Sequence, residues 1–260
     1  MTDLLAHAEG IWQAVVPRLP DFTVEVLPAI DSTNTELMRR ARSGPLAPVL
    51  LAAEEQTAGR GRMGKGWHSR AGQSLTFSLA LPLAPANWSG LSLAVGVSLA
   101  ESLHPELRLK WPNDLWWQQR KLGGILVETA GSGDGAAGPR TVVIGVGINI
   151  ARPADAAVAG SPAAMAPAGL AELHMGITVG EALARVAPAL VRDVLRFEAE
   201  GFAAFADRFA RRDALRDLPL RLSDGTEGTG AGVDAGGGLL LQTPQDVVTV
   251  TSSEVSVRPC

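Results

Sequence analysis

The strongest constraint on the fold is a change of pattern at about Asp213. Before this point, strand-like runs alternate with amphipathic helical segments such as Val179–Leu195 and Glu200–Arg211. After it, short apolar runs are separated by turn dipeptides such as Asp224-Gly225, which predicts a small all-β module. The pattern therefore indicates an α+β protein with a C-terminal β appendage. The predicted strands of the module are Pro219–Ser223, Gly228–Val233, Gly238–Gln242, Val247–Thr251 and Val255–Val257.

Two local patterns in the first part are specific enough to place elements. Ser74–Leu81 alternates large apolar residues with Ser and Thr, which predicts a strand with one buried face and one polar face. Asp31-Ser32-Thr33-Asn34 precedes a helical segment in which Thr33 and Glu36 fit a capping box and Gly44 fits the stop. A helix beginning here would also present polar groups to a ligand.

Composition narrows the class of protein. The chain has 260 residues, enough for a sizeable core, and a net charge of −4, which argues against a generic nucleic-acid binder. Its single cysteine, Cys260, excludes a disulfide framework and a cysteine-rich metal cluster. The N-terminus has no basic segment followed by an apolar run, and no stretch is long and apolar enough to span a bilayer, so a cytoplasmic location is predicted.

Residues 59–67, called the basic loop below, read Gly-Arg-Gly-Arg-Met-Gly-Lys-Gly-Trp. Glycines leave backbone N–H groups accessible, and three interleaved cations repel one another, so the empty loop is expected to be mobile and to order around an anion. A solvated loop without a ligand is the alternative. Gly59 to Lys65 also matches the start of a P-loop, but Gly66 stands where Ser or Thr should bind magnesium, and no helix start follows.

Three further runs lie at predicted strand ends or turns, and each also has a purely structural interpretation. Lys110-Trp111-Pro112-Asn113-Asp114 is good turn chemistry. The glycine pair in Lys121-Leu122-Gly123-Gly124-Ile125-Leu126-Val127-Glu128 fits a bulge or a close backbone approach. Gly145-Val146-Gly147-Ile148-Asn149 fits a tightly packed strand.

Taken together and in this order, the runs resemble those of the biotin–protein ligases, from about Ala29 to the end of the chain. The resemblance implies a class II synthetase-like catalytic domain, a mixed sheet flanked by helices, over residues 1–213, and an SH3-like β-barrel over residues 214–260. Some family members carry an N-terminal DNA-binding module. The stretch before Ser32 is too short for one, so DNA binding is not expected, whereas a homodimer is possible.

The resemblance also implies the reaction and the residues that serve it. Biotin and ATP, with Mg²⁺ arriving on the nucleotide, would give biotinyl-5′-AMP, which then acylates a lysine of a biotin carboxyl carrier domain. The implied catalytic residues are Lys121, Arg62 and Asp114. The implied biotin-binding residues are Ser32, Thr33, Asn34, Gln56, Gly59, Arg60, Arg62, Lys121 and Gly124. The implied nucleotide-binding residues are Arg60, Arg62, Lys65, Trp67, Lys110, Asn113, Lys121 and Asn149.

Some features depart from the family pattern or leave other functions open. Lys65 and Met63 stand at loop positions where the family usually has other residues, and the segment Ala151–Gly176, predicted to be a lid, lacks an aromatic residue. Asp114 is predicted to receive the acceptor amine, with turn capping as the alternative. Glu254 and Arg258 match a family pair that reaches toward ATP.

Two other functions remain alternatives. One is a lipoate- or octanoate-transferring relative, against which the basic loop argues, and the other is a non-catalytic sensing module.

Overall fold

The computed structural model describes residues 2–130, 138–153, 167–251 and 257–259. The helices are α1 (Asp3–Val15), α2 (Thr33–Ser43), α3 (Leu91–Leu103), α4 (Val179–Glu200) and α5 (Ala206–Ala210). The strands are β1 (Thr23–Ile30), β2 (Val49–Gln56), β3 (Gly59–Arg60), β4 (Gly66–Trp67), β5 (Ser74–Leu83), β6 (Arg108–Lys110), β7 (Asp114–Trp117), β8 (Arg120–Ala130), β9 (Arg140–Asn149), β10 (Pro219–Leu222), β11 (Glu227–Val233), β12 (Leu239–Gln242), β13 (Val247–Val250) and β14 (Val257–Pro259).

A seven-stranded mixed sheet forms the body of the protein, with the order β1-β2-β5-β9-β8-β7-β6. Only the β1–β2 pair is parallel, and the remaining neighbours are antiparallel. The main core lies between one sheet face and helices α1, α3 and α4, and it includes Phe77, Ile144 and Leu190. A smaller apolar cluster, which includes Leu37, Ala80 and Val143, lies under α2 on the opposite face. The predicted mixed sheet flanked by helices is therefore confirmed.

The strand predicted at Ser74–Leu81 extends to Leu83, but the prediction of a polar, solvent-facing side was wrong. Thr76 and Ser78 are as buried as Phe77 and Leu79. The reason is α2, which packs on this face of β5 and β9 and covers it. The Ser and Thr positions are therefore interior positions.

The predicted cap of α2 was also wrong by one residue. Ser32, in an extended conformation, is the N-cap, and its hydroxyl accepts a hydrogen bond from the backbone N–H of Thr35. Thr33 begins the helix instead, and Glu36 pairs with Arg40 rather than with the cap. Gly44 ends the helix as predicted.

The C-terminal module is a five-stranded antiparallel sheet in the order β13-β12-β11-β10-β14. Its first four strands lie where the pattern predicted them. The last strand, Val257–Pro259, shares only Val257 with the predicted strand Val255–Val257, of which residues 255 and 256 lie outside the described residues. Among the described residues, however, β13 and β14 do not pair with each other, so a closed barrel is not confirmed. The module contacts the body of the protein just after β6: the indole N–H of Trp111 donates to the carbonyl of Gly237 over 3.0 Å. A Cβ atom on Gly237 would lie 2.9 Å from Gly90 Cα, so the turn approaches α3 too closely for a larger residue.

Candidate active site

The described residues enclose a pocket of about 1030 Å³, including its open mouth, beside the N-terminus of α2. It lies on the sheet face that carries α2, where the glycines of β9 leave room. The predicted site residues that line it are Ser32, Thr33, Asn34, Gln56, Arg60, Arg62, Lys65, Trp67, Lys110, Asn113, Asp114, Lys121 and Gly124. Motifs from distant parts of the sequence thus meet in one cavity.

The floor of the pocket is a network of neutral hydrogen-bonding groups. Ser78 Oγ lies 2.7 Å from both Thr33 Oγ1 and Asn34 Oδ1. Gln56 Oε1 accepts from the backbone N–H and the hydroxyl of Thr33 over 2.7 and 3.0 Å. Two hydroxyl protons thus serve three oxygen–oxygen contacts, so the Thr33 hydroxyl can turn between Gln56 and Ser78, and the set can offer a donor or an acceptor to a planar polar ligand.

Ser78 was missed by the sequence analysis, as were the two glycines of β9 that make space for the pocket. A Cβ atom on Gly145 would lie 2.8 Å from Asn34 Cγ, and one on Gly147 would lie 2.7 Å from Trp67 Cζ2. The glycines therefore admit the Asn34 amide and the Trp67 indole against the sheet. Their two-residue spacing on one strand was the available signal, because it places both on the same face.

The basic loop folds as a short antiparallel hairpin of β3 and β4, with a 3-10 turn at residues 62–64 between them. Met63 at its tip has a left-handed φ of 54°. Gly59 does not line the pocket. A side chain there would meet the carbonyl of Trp67 across the hairpin, which explains the need for glycine. The expectation that the empty loop is mobile stays a prediction.

Two loop arginines cross the mouth of the pocket toward β8 and the β6–β7 turn. Arg60 Nη2 donates to Glu128 Oε1 over 2.9 Å, and Arg62 Nη1 lies 3.4 Å from Asn113 Oδ1. Burial lowers the pKa of Arg62, against the opposing effect of the nearby Asp114 charge. Arg62 stays charged at neutral pH, and the direction of the shift marks a partly desolvated cation whose attraction for an anion is strengthened.

Lys121 and Asp114 form an ion pair at the pocket wall. Lys121 Nζ donates to Asp114 Oδ1 over 2.8 Å, across adjacent strands β8 and β7. A Cβ atom on Gly124 would lie 3.4 Å from Lys121 Nζ, so this glycine leaves the ammonium group room. Asn113 is held in place because its amide donates to the carbonyl of Ile125 over 2.8 Å. Lys110 is the last residue of β6, and its Nζ atom lies 5.3 Å from the centroid of the Trp116 ring.

Asn149 is buried at the end of β9 and does not line the pocket. Its amide donates to the carbonyl of Ala168 over 3.1 Å, and the N–H of Ala168 donates to the carbonyl of Lys121 over 2.8 Å. Asn149 therefore ties the returning end of the predicted lid to the strand that carries Lys121. Its nucleotide contact stays a prediction.

Three parts of the predicted site lie outside the described residues: residues 154–166 of the predicted lid, Glu254, and the side chain of Arg258.

Within residues 2–130, 138–153, 167–251 and 257–259, no group of three or more His, Cys, Asp or Glu side chains is placed to hold a metal ion. No helix in those ranges is long and apolar enough to cross a membrane.

Comparison with known proteins defines the class to which this site belongs. The profile of the Biotin/lipoate A/B protein ligase family matches residues 26–149. The Bifunctional ligase/repressor BirA of Escherichia coli K12 is 36% identical over 256 residues, which is 94% of this chain and 77% of that protein. The Biotin–[acetyl-CoA-carboxylase] ligase of Paracoccus denitrificans is 33% identical over 88% of this chain and 98% of its own length.

A solved structure, the biotin protein ligase from Aquifex aeolicus in complex with biotin and ATP, has a TM-score of 0.74 and 26% identity. The alignment covers 91% of this chain and 99% of that one. Similarity of sequence and of fold thus extends over nearly the whole chain, including every motif that lines the pocket. The chain belongs to the biotin–protein ligases.

Proposed function

We propose that the chain activates biotin with MgATP to biotinyl-5′-AMP and then transfers the biotinyl group to a lysine of a biotin carboxyl carrier domain. The observation that carries the proposal is that one cavity combines a neutral hydrogen-bonding floor with a cationic wall. The floor suits a polar, uncharged head group, and the wall suits the anions that must react. The relatives named above, which carry this activity in their names, support the same assignment.

The floor would bind the ureido ring of biotin through hydrogen bonds. A planar urea offers two N–H donors and one carbonyl acceptor, and Ser78, Thr33 and Gln56 supply groups of both kinds within one hydrogen-bonded set. A buried member of this set left without a partner costs about 1–3 kcal/mol. Analogues that lack a urea nitrogen should therefore bind much less tightly than biotin.

The cationic wall would allow two anions to react. In the first step, a carboxylate oxygen of biotin attacks the α-phosphorus of ATP, the bond to the bridging oxygen breaks, and pyrophosphate leaves. Arg62 offers a planar fork to carboxylate or phosphate, and Lys121 offers a compact charge in the same pocket. Mg²⁺, bound to the leaving phosphates, would arrive with ATP because hard cations are usually held in this way.

In the second step, the acceptor lysine attacks the acyl carbon of the adenylate and AMP leaves. A lysine amine with the ordinary pKa of about 10.4 is neutral in only about one molecule in 2,500 at pH 7, so a nearby proton acceptor is needed. Asp114 lines the pocket, and its Oδ1 atom is paired with Lys121, which leaves Oδ2 as the atom for this role. The carboxylate would orient the amine and take its proton.

The test is release of pyrophosphate on mixing the protein with biotin and MgATP. The proposal expects biotin-dependent release, and transfer of labelled biotin to a carrier domain that requires ATP. Replacing biotin by lipoate or octanoate tests the alternative on the same fold: a preference for either acid over biotin would contradict the proposal. Binding of biotin without pyrophosphate release would favour a sensing module instead.

Arg62→Gly is expected to speed the release of pre-formed adenylate by about tenfold or more, because a partly desolvated charge-assisted contact to the anion is lost. The melting temperature should change little, since Arg62 lies in a hairpin at the pocket mouth rather than in the core. Dialysis of the enzyme with labelled adenylate measures the effect. The same replacement at Arg42, an exposed residue near the end of α2, is the control. Retention equal to that of the unmodified protein would remove the role given to Arg62.

Several finer assignments rest on the same family relationship. We infer that the C-terminal sheet is an SH3-like module, that the body is class II synthetase-like, and that residues 1–213 and 214–260 form separate domains. A cytoplasmic location fits the substrates. The domain assignment expects protease cleavage near residue 214 to release a folded C-terminal fragment, and a homodimer would appear as a doubled mass in solution.

A further inference from the structure

One carboxylate on β8, that of Glu128, joins two parts of the site that belong to distant segments of sequence. Its Oε1 atom accepts from Arg60 Nη2 of the basic loop, and its Oε2 atom accepts from Asn34 Nδ2 at the start of α2, both over 2.9 Å. Glu128 itself does not line the pocket, and its side chain is only 22% exposed. Neither the predicted site residues nor the reaction steps above use it.

The contact with Glu128 fixes which way the Asn34 amide points. A carboxylate only accepts hydrogen bonds, so the NH₂ group of Asn34 must face Glu128, and the amide oxygen must face Ser78. The same NH₂ group also lies 3.4 Å from the carbonyl of Leu126. Because the Asn34 oxygen then requires the Ser78 hydroxyl proton, Glu128 sets the proton arrangement of the pocket floor.

The contact with Arg60 ties the basic loop to the same place. Arg60 Nη1 also lies 3.3 Å from the hydroxyl of Thr35, in the first turn of α2. The loop, the helix start and β8 therefore meet at one guanidinium–carboxylate pair. When the loop lies over the pocket, Glu128 has both of its oxygens occupied.

We propose that Glu128 is a positioning residue that couples closure of the basic loop to the hydrogen-bonding floor that holds the biotin head group. This inference rests on the proposed function. Closure places Arg60 on one oxygen, and the other oxygen holds Asn34 in the orientation that the floor requires. Binding at the floor and closure at the mouth then favour each other, because both use the same carboxylate.

Glu128→Gln is the discriminating variant. In glutamine an NH₂ group replaces one of the two carboxylate oxygens, so it cannot accept from Arg60 at one position and from Asn34 at the other, and the NH₂ group would face one of these two donors. The KM for biotin in biotin-dependent pyrophosphate exchange is expected to rise about tenfold, while kcat at saturating biotin stays within about threefold. A purely structural role would lower the melting temperature and leave KM unchanged.

The matched control is Glu25→Gln. Glu25 lies on β1 and holds Arg40 of α2 through both carboxylate oxygens over 2.9 and 3.0 Å, but it does not line the pocket. It therefore removes an ion pair between a strand and the same helix without touching the floor. Its KM for biotin should equal that of the unmodified protein.

Two further variants decide the outcome even if Glu128→Gln folds poorly. Glu128→Asp keeps the charge but is too short to span both partners, so it should raise the KM for biotin with little change in melting temperature. In the Arg60→Gln background, Glu128→Gln should add little, because the shared pair is already broken. An unchanged KM in Glu128→Asp, or effects of Arg60→Gln and Glu128→Gln that simply multiply, would overturn the proposal. Absence of exchange in the unmodified protein would instead reject the proposed function.

Discussion

Lys121→Ala is expected to lower the rate of biotin-dependent pyrophosphate exchange by about 1,000-fold, the size of effect seen when a pre-placed charge or donor at a transition state is removed. Its ammonium group faces the pocket and has room there because Gly124 lacks a side chain. In the proposed reaction it stabilises negative charge that develops on the transferring phosphoryl oxygens. The loss should appear in kcat, because this interaction strengthens as the transition state forms.

The same variant should leave the fold intact. The Lys121 side chain is 44% exposed, and exposed ion pairs contribute at most about 1 kcal/mol, so the melting temperature should fall by no more than about 3 °C. The backbone contact of Lys121 with Ala168 does not depend on the side chain. Asp114 loses its partner but stays near the charge of Arg62.

The control is Arg196→Ala, which removes a cation paired over 3.0 Å with Glu200 on the exposed side of α4. This variant should have full activity and a similar melting temperature. Steady-state exchange and thermal unfolding, measured on both variants, separate the two roles. A large fall in melting temperature with Lys121→Ala, or exchange within tenfold of the unmodified rate, would show that Lys121 is structural.

The motifs could be gathered into one site from the sequence because their order resembles that of the biotin–protein ligases, and each also lies at a strand end or a turn. Strands β7 and β8 are neighbours in the sheet, and their pairing brings two short runs, Lys110–Asp114 and Lys121–Gly124, to the same region. The alternation along β5 likewise gave the correct core face. What these signals share is locality: each is set by a few consecutive residues.

The failures share a different cause, which is packing between distant segments. Ser78 was taken for a solvent-facing residue because nothing in its own strand indicates that α2 covers that face. Thr33 and Ser32 are both good caps, and the choice between them is made by Gln56, whose amide oxygen holds Thr33 in place. None of these partners is adjacent in sequence.

Gly145 illustrates the same limit and yields the second prediction of large effect. Gly145→Ala is expected to raise the KM for biotin at least about 100-fold and to destabilise the fold by about 2–4 kcal/mol. A Cβ atom at this position would lie 2.8 Å from Asn34 Cγ and 3.2 Å from Asn34 Nδ2, and still closer to the amide oxygen. A methyl group cannot be accommodated unless Asn34 moves.

Asn34 has little freedom to move, because its amide is bound on both sides. Ser78 holds the oxygen and Glu128 holds the nitrogen, and the residue is 3% exposed within the first turn of α2. Displacing it leaves buried polar groups unsatisfied, shifts the start of the helix that carries Thr33, and breaks the floor that would hold the ureido ring. Stability and binding should therefore fall together.

Gly66→Ala is the matched control, because Gly66 lines the same pocket but a Cβ atom there meets nothing within 4 Å. Its KM for biotin should stay within about twofold, as expected for a substitution without new contacts. The two variants are compared by exchange kinetics well below their melting temperatures, and by the rise in melting temperature that biotin produces. That rise should persist in Gly66→Ala and disappear in Gly145→Ala, because a ligand stabilises only a fold that still binds it. An equal rise in both variants would mean that β9 tolerates a side chain beneath Asn34 and that the floor is not built on this glycine.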